Sequence, residues 1–112
     1  MDDFEDGRLL RIFVDETDRH GAQPLYTAIV EFLRARGVLG AIVFRAVEGY
    51  GSHGLVHAAN AFAWQPNLPI LIEVVERQAK VDEILPALRE LAPDAFVTDE
   101  RVRFLHLSQK KA

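Results

Sequence analysis

The chain contains no cysteine and no long apolar stretch. The absence of cysteine excludes disulfide bonds, thiolate catalysis and cysteine-based zinc sites. No apolar run approaches the ~18 residues that a membrane-spanning helix requires. The first residues, MDDFEDGR, are acidic and polar, which is the reverse of a secretory signal. We therefore expect a soluble cytoplasmic protein.

Positively charged residues are also fewer than negatively charged ones. The 13 Lys and Arg residues are outnumbered by 17 Asp and Glu residues, and the net charge is −4. This balance disfavours nucleic acid or an anionic membrane as the main partner, because both select faces rich in Lys and Arg. With 112 residues, 49% of them hydrophobic, the chain suits one globular domain. We expect a single domain over residues 1–112 that is frayed at 1–7 and 108–112.

The hydrophobic periodicity predicts alternating strands and helices. The predicted strands are 8–15, 39–48, 68–76 and a last strand, broken or in two pieces, over 95–98 and 102–107. One helix begins near Pro24 and ends before Gly37, and a second covers 81–91, where Pro86 predicts a kink or a late start. The resulting β-α-β-β-α-β order predicts an α+β, ferredoxin-like fold with an antiparallel sheet and two helices on one face.

The predicted strands are apolar on both faces, although two helices cover only one. To the covered face we assign Leu10, Ile12, Val14, Ile42, Phe44, Ile70, Ile72 and Val74. To the other face we assign Leu9, Phe13, Val43, Val47, Leu71 and Val75. A bare apolar surface of this size favours aggregation, so we predict a homo-oligomer that packs these faces inward. Three charged residues on the second face are expected to pair there: Arg11, Arg45 and Glu73. The alternative is a set of single apolar residues tolerated at the surface.

A connection of unusual length and composition, residues 49–67, separates two of the strands. Loops longer than ~12–15 residues without secondary structure are functional or disordered in most cases. Gly49 and Gly51 allow a ligand to approach the main chain closely, and Ser52, His53 and His57 add polar groups. A histidine such as His57 titrates near neutral pH. These residues are candidates for ligand binding; the alternative for the glycines is a plain bend that ends the strand.

Most of the chain resembles one known family. The segment LRIFVDETDRHGAQPLYTAIVEFLRARGVLGAIVFRAVEGYG, followed by LPILIEVVE, resembles the PII signalling superfamily and, more closely, its uncharacterised PII-like branch. The resemblance covers about residues 8 to 107. It implies a ferredoxin-like homotrimer whose sheets face inward, with a mobile loop after Gly49 that corresponds to the PII T-loop. It also implies a small effector, an adenine nucleotide, in clefts between subunits.

The resemblance also extends to single residues. Gly49, Tyr50 and Gly51 resemble the glycine–aromatic–glycine at the root of the T-loop, and Arg103 resembles a late-strand arginine that faces nucleotide phosphates. Ser52 and His53 stand where PII proteins carry a phosphate-contacting arginine and a glutamine. Two further departures are the missing tyrosine that PII proteins modify and the segment LAPDAFV, which replaces their Asp-Gly-Lys loop. An adenosine-type nucleotide with less phosphate, or another small metabolite, fits these departures as well.

These features predict a regulatory protein and not an enzyme. No nucleophile motif, phosphate-binding P-loop or dinucleotide fingerprint is present, so we assign no catalytic residue and no cofactor apart from the nucleotide effector. The resemblance implies a transporter or channel as partner. The alternative function is a CutA-like trimer that binds divalent metal through His53 and His57, which have i, i+4 spacing. A zinc site needs at least a third ligand and none is adjacent, so we assign no metal site.

Overall fold

The computed structural model describes residues 3–50 and 68–108. The main elements are β1 (Glu5–Asp15), α1 (Leu25–Ala35), β4 (Ala41–Arg45), β5 (Pro69–Glu76), α2 (Gln78–Leu91) and β6 (Phe96–Phe104). Two short strands, β2 (Arg19–His20) and β3 (Gln23–Pro24), form a small hairpin between β1 and α1, in a segment where the sequence predicts no strand. The four long strands form one antiparallel sheet in the order β4-β5-β1-β6. This arrangement confirms the predicted ferredoxin-like fold.

The core lies between the two helices and one face of the sheet. Its strand residues alternate along the two central strands, because successive side chains of a strand point to opposite faces. Its helix residues recur at three- and four-residue spacings, which place them on one side of each helix. Fully or almost fully buried side chains of this core are Leu10, Ile12, Ile29, Leu33, Ile70, Ile72, Val74, Val81 and Ile84.

Both helices have identifiable ends. Helix α1 follows Pro24 and ends at Ala35, and the positive φ of 75° at Gly37 lets the Val38 N–H donate to the Leu33 carbonyl over 3.2 Å. Helix α2 begins at Gln78, so the predicted late start is wrong. The buried carboxylate of Glu76 accepts the Arg77 N–H at 2.7 Å, immediately before the start of α2. The helix continues past Pro86, which lies on its exposed side.

Two strands differ from the sequence prediction in extent or continuity. Residues 5–7, which the sequence places in a frayed segment, are the start of β1. Strand β6 is continuous across the predicted break, because Asp99, Glu100 and Arg101 lie opposite Leu10, Leu9 and Arg8 of β1. Backbone pairing with a central strand holds this polar edge segment in the sheet, and edge strands need little apolar burial.

The assignment of Ile42 and Phe44 to the helix-covered face is wrong. In the observed register Val43 lies opposite Ile72, and Phe44 lies opposite Leu71. Ile42 and Phe44 therefore share the uncovered face and are 59% and 46% exposed. A shift of one residue exchanges the two faces of a strand, and this strand is apolar at both sets of positions, so its sequence does not determine the register.

The uncovered side of the sheet, here called the open face, is apolar with a charged centre. Its apolar residues include Leu9, Phe13, Ile42, Phe44, Leu71, Val75 and Phe96. Arg11 donates to Glu73 at 3.0 Å and to Glu100 at 2.6 Å, and these hydrogen bonds raise the pKa of its guanidinium. The predicted pairing of Arg11 with Glu73 is thus confirmed.

The expectation for Arg45 is wrong. Arg45 lies opposite Ile70, on the side of the sheet that the helices cover. Its guanidinium donates to Glu16 at 2.7 and 3.1 Å, and this contact raises the pKa of Arg45. The register that places Phe44 on the open face therefore places Arg45 on the helix-covered side.

Candidate functional site

The root of the long loop is a constrained glycine. Gly49 has a φ of 150°, a backbone conformation that favours glycine, and a Cβ at this position would lie 3.4 Å from Cγ of Pro69. The next residue, Tyr50, is 79% exposed. The other predicted loop ligands, Gly51, Ser52, His53 and His57, lie outside the described residues. The structure therefore places only the first two residues of the predicted loop site.

Arg103 lies at the opposite end of the sheet from this root. It is paired with Asp6 near the start of β1, and its guanidinium carbon lies 5.1 Å from the centre of the Phe4 ring. Pro69, next to Gly49, is paired with Asp15 at the end of β1. Nine residues of an extended strand, at ~3.3 Å each, separate the two places by about 30 Å. Within one chain, Arg103 therefore lies far from the loop root.

Arg103 belongs to a cleft on the helix side of β1 and β6. This arginine cleft, of about 440 Å³, is lined by Asp6, Arg8, Gln78, Arg101 and Arg103, together with Gly7 and Val102 of the two strands. Arg8 lies directly opposite Arg101 in the sheet. Like charges at directly opposite positions destabilise a sheet, so this concentration of arginines is typical of a surface that receives an anion. Guanidinium groups bind phosphate and carboxylate through paired N–H donors.

The Arg8 side chain is held in the cleft by a carboxylate. Its Nε donates to Oδ1 of Asp99 at 2.8 Å, and the two side chains are 19% and 33% exposed. The hydrogen bond to Asp99, followed by the charges of Asp99 and Asp82, raises the pKa of Arg8. Asp82 in turn accepts a hydrogen bond from the Gln78 side chain at 3.1 Å. The N-terminal part of α2 therefore contributes to the electrostatics of the cleft.

Sequence analysis identified only Arg103 of the arginine cleft. Arg101 is two residues away on the same strand, and this spacing alone places both side chains on one face. Arg8 and Asp6 are more than 90 positions away in the chain and come together with them only through the β1–β6 pairing. The Arg-Val-Arg run was thus a usable signal for Arg101, whereas Arg8, Asp6 and Asp99 require the sheet register.

Two negative observations apply to the described residues. Neither helix in residues 3–50 and 68–108 is both long and apolar enough to cross a membrane. Across the same ranges, no group of three or more His, Asp or Glu side chains is arranged to hold a metal ion. His53 and His57, on which the metal alternative depends, are outside these ranges.

A profile of the family DUF190, described as "Uncharacterized ACR, COG1993", matches residues 7–104. This chain belongs to the DUF190 family. A UPF0166 protein of Aquifex aeolicus is 30% identical over 100 residues, which cover 89% of this chain and 94% of the relative. A UPF0166 protein of Methanocaldococcus jannaschii is 31% identical over 84 residues, covering 75% of this chain and 77% of the relative.

Solved structures similar to this DUF190 chain are PII-like proteins. CPII of Thiomonas intermedia, "a nitrogen regulatory PII-like protein" bound to ADP, AMP and bicarbonate, has a TM-score of 0.64 at 17% identity over 90% of this chain and 97% of that one. A putative PII-like signaling protein of Thermus thermophilus has a TM-score of 0.64 at 22% identity, covering 92% and 93% of the two chains. The DUF190 chain therefore has the PII-like fold, as the sequence resemblance implies.

Proposed function

We propose that this DUF190 protein is a PII-like regulatory protein that acts as a homotrimer. A small effector, an adenine nucleotide, binds in the clefts between subunits, and the loop after Gly49 then changes its contacts with a partner protein. Such a switch requires that the effector binds the two loop conformations with different affinity. A transporter or channel as the partner stays a prediction.

The separation of Arg103 from the loop root supports a site between subunits. A nucleotide is too short to reach from the arginine cleft to Gly49 along one chain, because the two places are about 30 Å apart at ~3.3 Å per strand residue. An effector that contacts both must therefore lie between the arginine cleft of one subunit and the loop root of another. The open face, with its exposed Ile42, Phe44 and Phe96, is a surface through which the copies can associate.

The chemistry of the cleft and the structural relatives favour a phosphate-bearing effector. Arg8, Arg101 and Arg103 offer guanidinium donors on one surface. The similar CPII protein is bound to ADP, AMP and bicarbonate. The CutA-like alternative, with metal held by His53 and His57, stays a prediction, because both histidines lie outside the described residues.

Isothermal titration calorimetry with AMP, ADP and ATP tests the nucleotide proposal. At least one of the three should bind, and Arg103→Gln should weaken its binding at least tenfold, because a hydrogen bond to a charged group contributes about 1.5–3 kcal/mol. Arg34→Gln is the control: it removes the same charge from an exposed position in the last turn of α1, on another element. Failure of all three nucleotides to bind at millimolar concentration would exclude them as effectors, and equal weakening by both substitutions would exclude Arg103 as a ligand.

A further inference from the structure

Among residues 3–50 and 68–108, the carboxylates around the arginine cleft are equal in number to the arginines that line it. The three positive side chains are Arg8, Arg101 and Arg103. The three carboxylates are Asp6, which lines the cleft, Asp99, which bonds to Arg8, and Asp82, whose charge also acts on Arg8. The cleft therefore offers many N–H donors but little net positive charge.

Two of these carboxylates accept side-chain hydrogen bonds within the protein, and the third lies opposite an arginine of the cleft. Asp99 accepts the Nε–H of Arg8 at 2.8 Å, and Asp82 accepts the amide N–H of Gln78 at 3.1 Å. Asp6 lies directly opposite Arg103 on the adjacent strand. Side chains at such positions have Cβ atoms about 4.5–5.5 Å apart. A ligand anion that approaches the arginines thus also approaches carboxylates that are already in place.

We propose that the arginine cleft selects a nucleotide that carries a single phosphate group over one that carries two or three. The selection rests on the proposed function and concerns the same site. One phosphate group can use the guanidinium donors that Asp6 and Asp99 leave available. Each further phosphate adds negative charge beside these carboxylates, and like charges brought together in a partly desolvated site oppose binding. The effector class is therefore a nucleoside monophosphate or a cyclic nucleotide.

Calorimetry in magnesium-free buffer tests this selection through a ratio of dissociation constants. For the unmodified protein we expect AMP to bind at least tenfold more tightly than ATP. Asp99→Asn removes one carboxylate charge at the cleft. We expect this substitution to lower the ratio of the ATP dissociation constant to the AMP dissociation constant at least threefold. Glu90→Gln removes the same charge from an exposed position at the far end of α2, and it should leave the ratio unchanged.

The outcomes of the titration distinguish failure of the phosphate selection from failure of the proposed function. If ATP binds as tightly as AMP, the selection is refuted while nucleotide binding stands. If Asp99→Asn strengthens AMP and ATP binding by the same factor, the carboxylate does not discriminate and the selection is again refuted. If no nucleotide binds, the proposed function itself fails and the selection falls with it. Should Asp99→Asn not fold, Asp6→Asn gives the same readout, because Asp6 lies on a different strand and faces Arg103.

Discussion

The buried carboxylate of Glu76 joins three parts of the fold. Its side chain is 3% exposed and accepts backbone N–H groups from Leu39 at 2.9 Å and from Arg77 at 2.7 Å. Leu39 belongs to the turn before β4, and Arg77 immediately precedes α2. The end of β5 therefore holds both the entry to the edge strand that leads to Gly49 and the start of the second helix.

We predict that Glu76→Gln lowers the free energy of unfolding. Glutamine has the same size but one acceptor oxygen in place of two, so its amide NH₂ must face one of the two N–H donors. A buried donor left without an acceptor costs about 1–3 kcal/mol. Loss of the negative charge near the start of α2 also removes a favourable interaction with the helix dipole, which contributes about 0.3–1 kcal/mol to stability. Loss of the charge also removes a desolvation cost, so we expect a net decrease of about 1–3 kcal/mol.

Urea unfolding followed by far-ultraviolet circular dichroism measures this change, at one fixed protein concentration because assembly contributes to apparent stability. Glu90→Gln serves as the control, since it removes an exposed carboxylate from the same chain. Amide exchange at Leu39 should accelerate in Glu76→Gln and not in the control. A loss of less than about 0.5 kcal/mol, the ordinary range of surface substitutions, together with unchanged exchange at Leu39, would refute the role of the carboxylate.

Two further predictions concern the open face and the packing of β1. Phe44→Asp, on an exposed part of the open face, should convert trimers to monomers in native mass spectrometry and abolish nucleotide binding. The control Phe44→Leu should preserve the trimer and nucleotide binding. A monomeric unmodified protein in dilute solution would contradict the assembly. Gly7→Ala should destabilise the fold by about 1–3 kcal/mol, because its Cβ would lie 2.7 Å from the Phe104 ring and 3.0 Å from the Glu76 carbonyl oxygen. Gly40→Ala, where a Cβ meets nothing within 4 Å, should be neutral in thermal unfolding, and equal stability of the two variants would contradict the close packing at Gly7.

The amino-acid sequence by itself determines the order of the elements and the composition of the central core. Alternation along 10–14 and 70–74 places the buried residues of the two central strands together on the face that the helices cover, and the Leu25–Leu33 spacing specifies a helix with one buried side. From their types alone, the glycines and polar residues at 49–57 also predict a candidate functional loop. In these segments the residue types suit the local environment that the fold gives them, so the hydrophobic pattern predicts the strands and the helix correctly.

The tertiary structure decides the features that depend on register. The strand β4 is apolar at odd and even positions, and only its pairing with β5 places Phe44 on the open face and Arg45 beside Glu16. The arginine cleft joins residues from both ends of the chain, because β1 pairs with β6. The distance between Arg103 and Gly49 likewise follows from the length of β1. Contacts between residues far apart in sequence depend on how strands align, and local sequence patterns do not encode that alignment.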